Sequence, residues 1–343
     1  MIEISDAFRE SSDCLDDPAE IRRRMDEEGY LFIKGLQSRD KLLELRQDML
    51  GAMMDGGWLV KGTDPVDGIA DVSMKCAEGD VEYTGVYHDV YSLESFHRSG
   101  HWEEVVSVIE KIVDGPVLVH PSKVARLWFP QYTDHTTPIH QDFVHFQGSF
   151  DTWTVWTTVG NCPIELGPLA VIPGSHKVDK VIDHHFSLGA GSLAIHTEDL
   201  SGEWLCNDFE VGDTLLFHSL TVHQALPNVT QDRIRVSLDN RYQAFGIPIA
   251  EQMLVPHLSN LTKDFGWEQV YAGWSTGDLM YYWKEYGLEV HEKIESFSQV
   301  GFDEACELAI GGDLQARHQL ERIVKRDMGG ERTEKAAQVL AEL

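Results

Sequence analysis

The segment HQDF, His140 to Phe143, sets an imidazole and a carboxylate two positions apart at the edge of a β-rich run, where strand propensity favours neither. On extended backbone such residues share a face, so His140 and Asp142 would offer one nitrogen and one oxygen ligand together while Gln141 points away or sideways. Two ligands hold a metal poorly. His223, in TVHQALPN, follows the predicted strand DTLLFHS by a short turn and would face the HQD edge across the mouth of a jelly roll. Together the three make a 2-His-1-carboxylate facial triad, whose open coordination positions suit Fe(II) that must bind a cosubstrate and O₂.

Sixteen histidines make an HxD pattern weak evidence by itself, and the downstream residues strengthen it. In IRVSLD, Arg235 and Ser237 would lie on one strand face. A guanidinium fork with a hydroxyl beside it fits the distal carboxylate of a 2-oxo diacid, whose 2-oxo acid end would chelate the metal. Arg233 is a rival for the anchor, and Arg235 is preferred because the RxS phase fits.

The order HxD, then His, then RxS sits within TWTVWTTVGNCPIELGPLAVIPGSHK (152–177), GDTLLFHSLTVHQALPN (212–228) and RIRVSL (233–238), with EEGYLFIKGL upstream. With these motifs the sequence resembles the phytanoyl-CoA dioxygenase family of Fe(II)/2-oxoglutarate oxygenases over roughly residues 20 to 245. The resemblance implies a double-stranded β-helix core, iron on His140, Asp142 and His223, 2-oxoglutarate on Arg235, and Gln141 and Trp156 as further cosubstrate contacts. It also implies a hydroxylase that oxidises a C–H bond of a small organic substrate and releases succinate and CO₂. Retention of Asp142 separates the chain from the iron halogenases of the same fold, in which a small residue stands there. One departure is the basic residue often found shortly before HQD: it is replaced within LWFPQYTDHTTP, with Arg126 or the hydroxyls of Thr136 and Thr137 as substitutes. A non-catalytic metal-binding cupin would carry the same triad, but it has no use for a carboxylate clamp next to its third ligand.

The elements that must position these residues follow from pattern. DDPAEIRRRMDEEGY predicts a helix capped by Asp17 with Pro18 inside, YLFIKGL a buried strand, and SRDKLLELRQDMLGAMM a second helix. From Gly56 to Gly100 periodicity fades, which predicts long irregular, lid-like segments. HWEEVVSVIEKIVDGP is an amphipathic helix, and eight short β-rich runs between Val117 and Gln243 then fit two facing sheets. Helical signals return in 272–297 and 303–343. The expected organisation is mainly β with flanking helices: residues 1–250 as a jelly-roll oxygenase domain and 251–343 as a helical extension packed on it.

Composition bounds the partners. With 42% hydrophobic residues the 343-residue chain can bury a large core, and 57 acidic against 28 basic residues leave no basic face for nucleic acid. No apolar window is long enough for a membrane span, and no basic n-region precedes an apolar run near Met1. Five scattered cysteines without a CxxC argue against a disulfide framework and fit a reducing cytoplasm. The remaining histidines have bland readings: His176 positions a loop, His145 and His218 lie out of phase with the ligands, and His184 and His185 fall in a solvated loop. The aromatics of YYWKEYG pack C-terminal helices on the core.

Overall fold

The eight β-rich runs each form a strand, and what pairs them is the alternation of apolar and polar faces. The computed structural model describes residues 3–196, 198 and 200–343. A six-stranded sheet runs Tyr30–Ile33, Thr214–His218, Thr152–Thr158, Arg235–Ala244 and Val117–Val119, with Val124–Trp128 also paired to the long strand Arg235–Ala244. Its pairings are antiparallel. The facing sheet orders Ile4–Asp6, Trp204–Leu205, Leu169–Val171 and His223–Ala225. A hairpin of His184–Phe186 and Leu193–Ile195 extends that layer, because the Ile195 N–H donates to the Ile139 carbonyl and His140 pairs with His223. The fold is thus a double-stranded β-helix with helices around it.

Helices cover the outer face of the large sheet. Asp17 accepts from the backbone N–H groups of Ala19 and Glu20, so the helix Pro18–Glu28 begins where the cap signal puts it. Ile21 and Met25 of that helix and Val105, Val108, Ile109 and Ile112 of Glu103–Val113 pack on Leu31, Val155 and Tyr242 of the sheet. The helix ends at Gly29 with φ +75°, a left-handed position where a side chain would also collide with His176 and Thr221. Gly29 therefore lets this turn press against the loop that precedes His223.

Three expectations are corrected. The segment 56–100 is irregular only in its first half, where short 3₁₀ stretches at Pro65–Asp67 and Val72–Met74 break up the turns; its second half holds the helices Val81–Tyr91 and Glu94–Ser99. The aromatics Tyr83, Tyr87 and Tyr91 recur every fourth residue and bury one face, a helical repeat hidden by the Gly and Asp around it. Residues 272–297 are mostly turns, with the 3₁₀ stretch Tyr282–Tyr286 and the short strand Val290–His291, and their Trp283 enters the same core cluster as Leu127 and Leu238. Continuous helix begins only at Ser296, with Ser296–Ile310, Leu314–Arg326 and Gly330–Glu342 packed on Phe186 and Leu188. Finally, His184 and His185 lie in a strand rather than a solvated loop. Among the described residues no helix is long and apolar enough to cross a membrane, and all five cysteines are buried and unpaired.

Candidate active site

The site sits between the two sheets, and the alternation of the long strand builds half of it. Val236, Leu238 and Tyr242 turn to the apolar core, so Arg235, Ser237, Asp239 and Arg241 share the opposite, inward face, every one of them buried. Neighbouring strands match them in register: Trp128 and Arg126 lie beside Arg235 and Ser237, and Thr158, Trp156 and Thr154 beside Ser237, Asp239 and Arg241.

His140, Asp142 and His223 are brought together, each buried, with one ligand atom from each lying within 4.8 Å of the others. Reciprocal backbone hydrogen bonds of 3.0 and 3.1 Å hold His140 to His223. Nδ1 of His140 lies 2.8 Å from the Pro138 carbonyl and Nδ1 of His223 lies 2.9 Å from that of Thr221. A carbonyl only accepts, so both Nδ1 atoms donate and both Nε2 lone pairs face the centre. Thr221 is itself fixed, since its hydroxyl donates to the Gly29 carbonyl at 2.8 Å.

Asp142 departs from the expected geometry. Its backbone is helical (φ −60°, ψ −29°) and opens the short helix Phe143–Phe146, so the carboxylate reaches the histidines by a turn rather than by strand alternation. Oδ1 stands 3.4 and 3.8 Å from Nε2 of His140 and His223. Oδ2 accepts from the Thr154 hydroxyl at 2.5 Å and from Arg241 at 3.4 Å. Burial opposes ionisation, but the Arg241 guanidinium beside it holds the Asp142 carboxyl well below the usual range. One oxygen is thus tied to the protein and the other left for a cation. Burial also pushes His223 down to about 3, keeping it neutral and ligand-competent.

Next to the triad, Arg235 is buried between Trp128 and Trp156, its guanidinium 5.4 and 5.9 Å from their ring centroids. Nη1 donates to the Gly167 carbonyl at 2.7 Å, while Nε, the Ser237 hydroxyl, the Trp156 indole N–H and the Thr158 hydroxyl are buried without partners. Burial lowers Arg235 to about 10, and among the described residues no carboxylate neutralises it. A cluster of buried donors with no acceptor is what a bound carboxylate would complete. Arg235 and Trp156 line one cavity with all three triad residues. Arg233 is exposed, its guanidinium on the Asp67 carbonyl, so burial favours Arg235.

The Gln141 amide donates to the carbonyls of Leu220 (2.9 Å) and Lys180 (3.3 Å) and accepts from Ile182 N–H (2.8 Å), contacts that brace these loops. Of the proposed substitutes for the missing basic residue, Arg126 and Thr137 line the cavity, whereas the Thr136 hydroxyl turns back to the Thr133 carbonyl. Arg126 is neutralised by Asp239 at 3.0 Å and by Glu78 at 2.8 Å. His145 lies 5.2 Å, ring to ring, from His140 and lines the adjoining pocket. His218 faces Asp151 and His176 reaches the Asp26 carbonyl. His184 accepts from the Gln141 N–H and so supports the HQD turn. Sequence reasoning missed Thr154, Asp239 and Arg241; continuing the period-2 face from Arg235 and Ser237 would have found the last two.

The phytanoyl-CoA dioxygenase family model matches residues 25–237, and the chain belongs to that family. It is therefore a non-haem Fe(II)/2-oxoglutarate-dependent oxygenase, with O₂ as its oxidant. A 1-deoxypentalenic acid 11-beta-hydroxylase of Streptomyces arenae is 29% identical, the match covering 70% of this chain and 87% of that protein. The hydroxylase of the same name from Streptomyces exfoliatus is 26% identical, with the same coverage. Among solved structures, the 2-oxoglutarate complex of EvdO2 from Micromonospora carbonacea var. aurantiaca is 18% identical, with a TM-score of 0.46 over 71% of this chain and 94% of its own.

Proposed function

We infer that this oxygenase hydroxylates a C–H bond of a small, largely apolar organic molecule and releases succinate and CO₂. The observation that carries the reading is one buried cavity lined by both a triad with inward-facing Nε2, Nε2 and Oδ1 atoms and an Arg235 fork without a counter-charge. In it His140, Asp142 and His223 would hold Fe(II), while Arg235 and Ser237 would take the distal carboxylate of 2-oxoglutarate beside Trp156. A metal holder without turnover has no need of that fork, which argues against the non-catalytic alternative. We assign residues 1–250 to the oxygenase unit and 251–343 to an extension packed on it; the buried thiols suit the cytoplasm.

Bound iron supplies two-electron oxidation of the cosubstrate and of the C–H bond, so that one oxygen atom of O₂ ends in succinate and the other in the alcohol. The protein's own residues do the rest. Pro138 and Thr221 fix the imidazole tautomers, Thr154 and Arg241 fix the carboxylate rotamer, and the Trp128 and Trp156 rings keep water from the Arg235 fork. An adjoining pocket of about 310 Å³, reaching Asp142, His145 and Phe146, is large enough for a small substrate. Hydroxylation is favoured over other outcomes because the curated relatives are hydroxylases by name, and the acid on which they are named is a small molecule. The test is Fe(II)-dependent succinate release, first without substrate and then across a panel of small apolar acids that includes 1-deoxypentalenic acid. A stimulated release matched by an alcohol product is expected. Failure of the iron-loaded protein to consume any 2-oxoglutarate contradicts the reading.

A further inference from the structure

The pocket beside the triad does not end at the jelly roll. Glu78, Gly191, Leu258 and Asn260 line it and also line a second cavity of about 370 Å³, whose far wall is made by the C-terminal helices. The two spaces therefore adjoin across a collar of four residues, one end at Asp142 and the other at Arg322, Arg326 and Arg332. The lining between them is mixed, with Val124, Met253, Leu258 and Phe302 forming an apolar stretch beside the polar Gln252 and His257.

Charge at the outer end runs against the rest of the molecule. In a chain with a net charge of −29, this cavity is lined by three arginines and one carboxylate, Glu78, which is already bound to Arg126. Arg322 is held by Asp80 at 2.7 Å, and Arg332 has Glu295 at 3.7 Å with the Ser298 hydroxyl and Gln299 amide closer. Arg326 differs: it donates to the Gly79 carbonyl at 3.2 Å and, among the described residues, has no carboxylate within 4 Å. A half-buried guanidinium beside a second one, without an anion of its own, is a place for an anion.

We propose that the C-terminal helices form an anion-binding wall of the substrate channel, with Arg326 receiving the carboxylate of an elongated, apolar substrate whose opposite end lies at the triad. This deepens the hydroxylase reading and rests on it. The family match stops at residue 237, so the helix that carries Arg326 lies beyond it, and substrate choice would be set by a part of the chain outside the shared motifs. Joined, the cavities exceed the needs of a single small ring system, which favours a substrate with its charge remote from the oxidised carbon.

The experiment is calorimetric titration of the full chain with decanoate and with 1-decanol, in wild type, Arg326→Gln, Arg326→Lys and Arg235→Gln. Wild type is expected to prefer the carboxylate by at least about ten-fold, the size of one charge-assisted hydrogen bond. Arg326→Gln should lose the preference, Arg326→Lys recover part of it, and Arg235→Gln keep it. Equal binding of acid and alcohol by wild type, a preference that survives Arg326→Gln, or one lost only in Arg235→Gln would overturn the proposal, the last by placing the carboxylate in the cosubstrate site. Substrate-free succinate release by the same iron-loaded wild type separates the two claims: release without acid preference sinks only the anion wall, whereas acid preference without release sinks the hydroxylase reading and with it the substrate channel, leaving Arg326 as an anion site alone.

Discussion

Arg235 and Arg241 lie on the same inward face of one strand, both buried, and their surroundings are opposite. Arg241 has Asp142 at 3.4 Å and Asp239 at 3.6 Å, and it covers the Phe146 ring. Arg235 has two indole rings, one carbonyl and no carboxylate among the described residues. Burying a charge without a partner is expensive, so a fold that keeps such a group is balanced elsewhere or completed by a ligand. The difference teaches how the site is divided: the Arg241 end is a finished structure that positions a metal ligand, and the Arg235 end is unfinished until the cosubstrate arrives.

If that division holds, the two ends should fail differently. Arg235→Gln is expected to raise the KM for 2-oxoglutarate roughly 30-fold or more, the effect of leaving a buried carboxylate without its charged pair, with iron affinity little changed. Arg233→Gln should stay near wild type, and steady-state kinetics of both variants check this. The reverse result would move the clamp to Arg233. At the other end, Thr154→Val and Arg241→Gln should lower Fe(II) affinity by about ten-fold while leaving the 2-oxoglutarate KM nearly alone, measured by metal titration without oxygen. Equal effects on both constants would erase the comparison.

The smallest effect on catalysis is expected at a third buried cation, Lys123, which has only the His120 carbonyl at 3.0 Å and no carboxylate among the described residues. Burial pulls its ammonium down from the ordinary 10.5 to about 7. Between those values the unfolded chain holds the proton and the folded one does not, so stability should rise with pH from about 7 to 10.5. Below about 7 both states are protonated and the dependence vanishes. Urea unfolding across this window should show a flatter profile for Lys123→Met, with 2-oxoglutarate turnover retained. An unchanged slope would mean that Lys123 keeps its charge when folded.

Much of this was legible in residue types. The strands announce themselves because β-branched and aromatic residues alternate between Gly, Pro and Asp punctuation, and the triad and RxS pair stand out because polar residues on such strands have no packing reason to be there. What stayed hidden depends on contacts distant in sequence. The helical turn at Asp142 follows from pairing with Ser219 through the Phe143 N–H, which no local propensity encodes. The bonds that Gln141 makes to Lys180, Ile182 and Leu220 join loops about 40 and 80 positions away, which its place in HQD does not announce. Residues 272–297 carry helical spacing in their aromatics, yet tertiary packing of Trp283 and Trp267 with Tyr271 overrides it.

The central claim, that one cavity holds iron on His140, Asp142 and His223 and 2-oxoglutarate on Arg235, is tested most directly by anaerobic titration of Fe(II) and 2-oxoglutarate followed by visible absorption. Wild type should develop the weak charge-transfer band of a chelated 2-oxo acid at one equivalent of iron per chain. His140→Ala and His223→Ala should not, since two remaining ligands hold iron poorly. A band of undiminished strength in either variant would remove that histidine from the site and contradict the account.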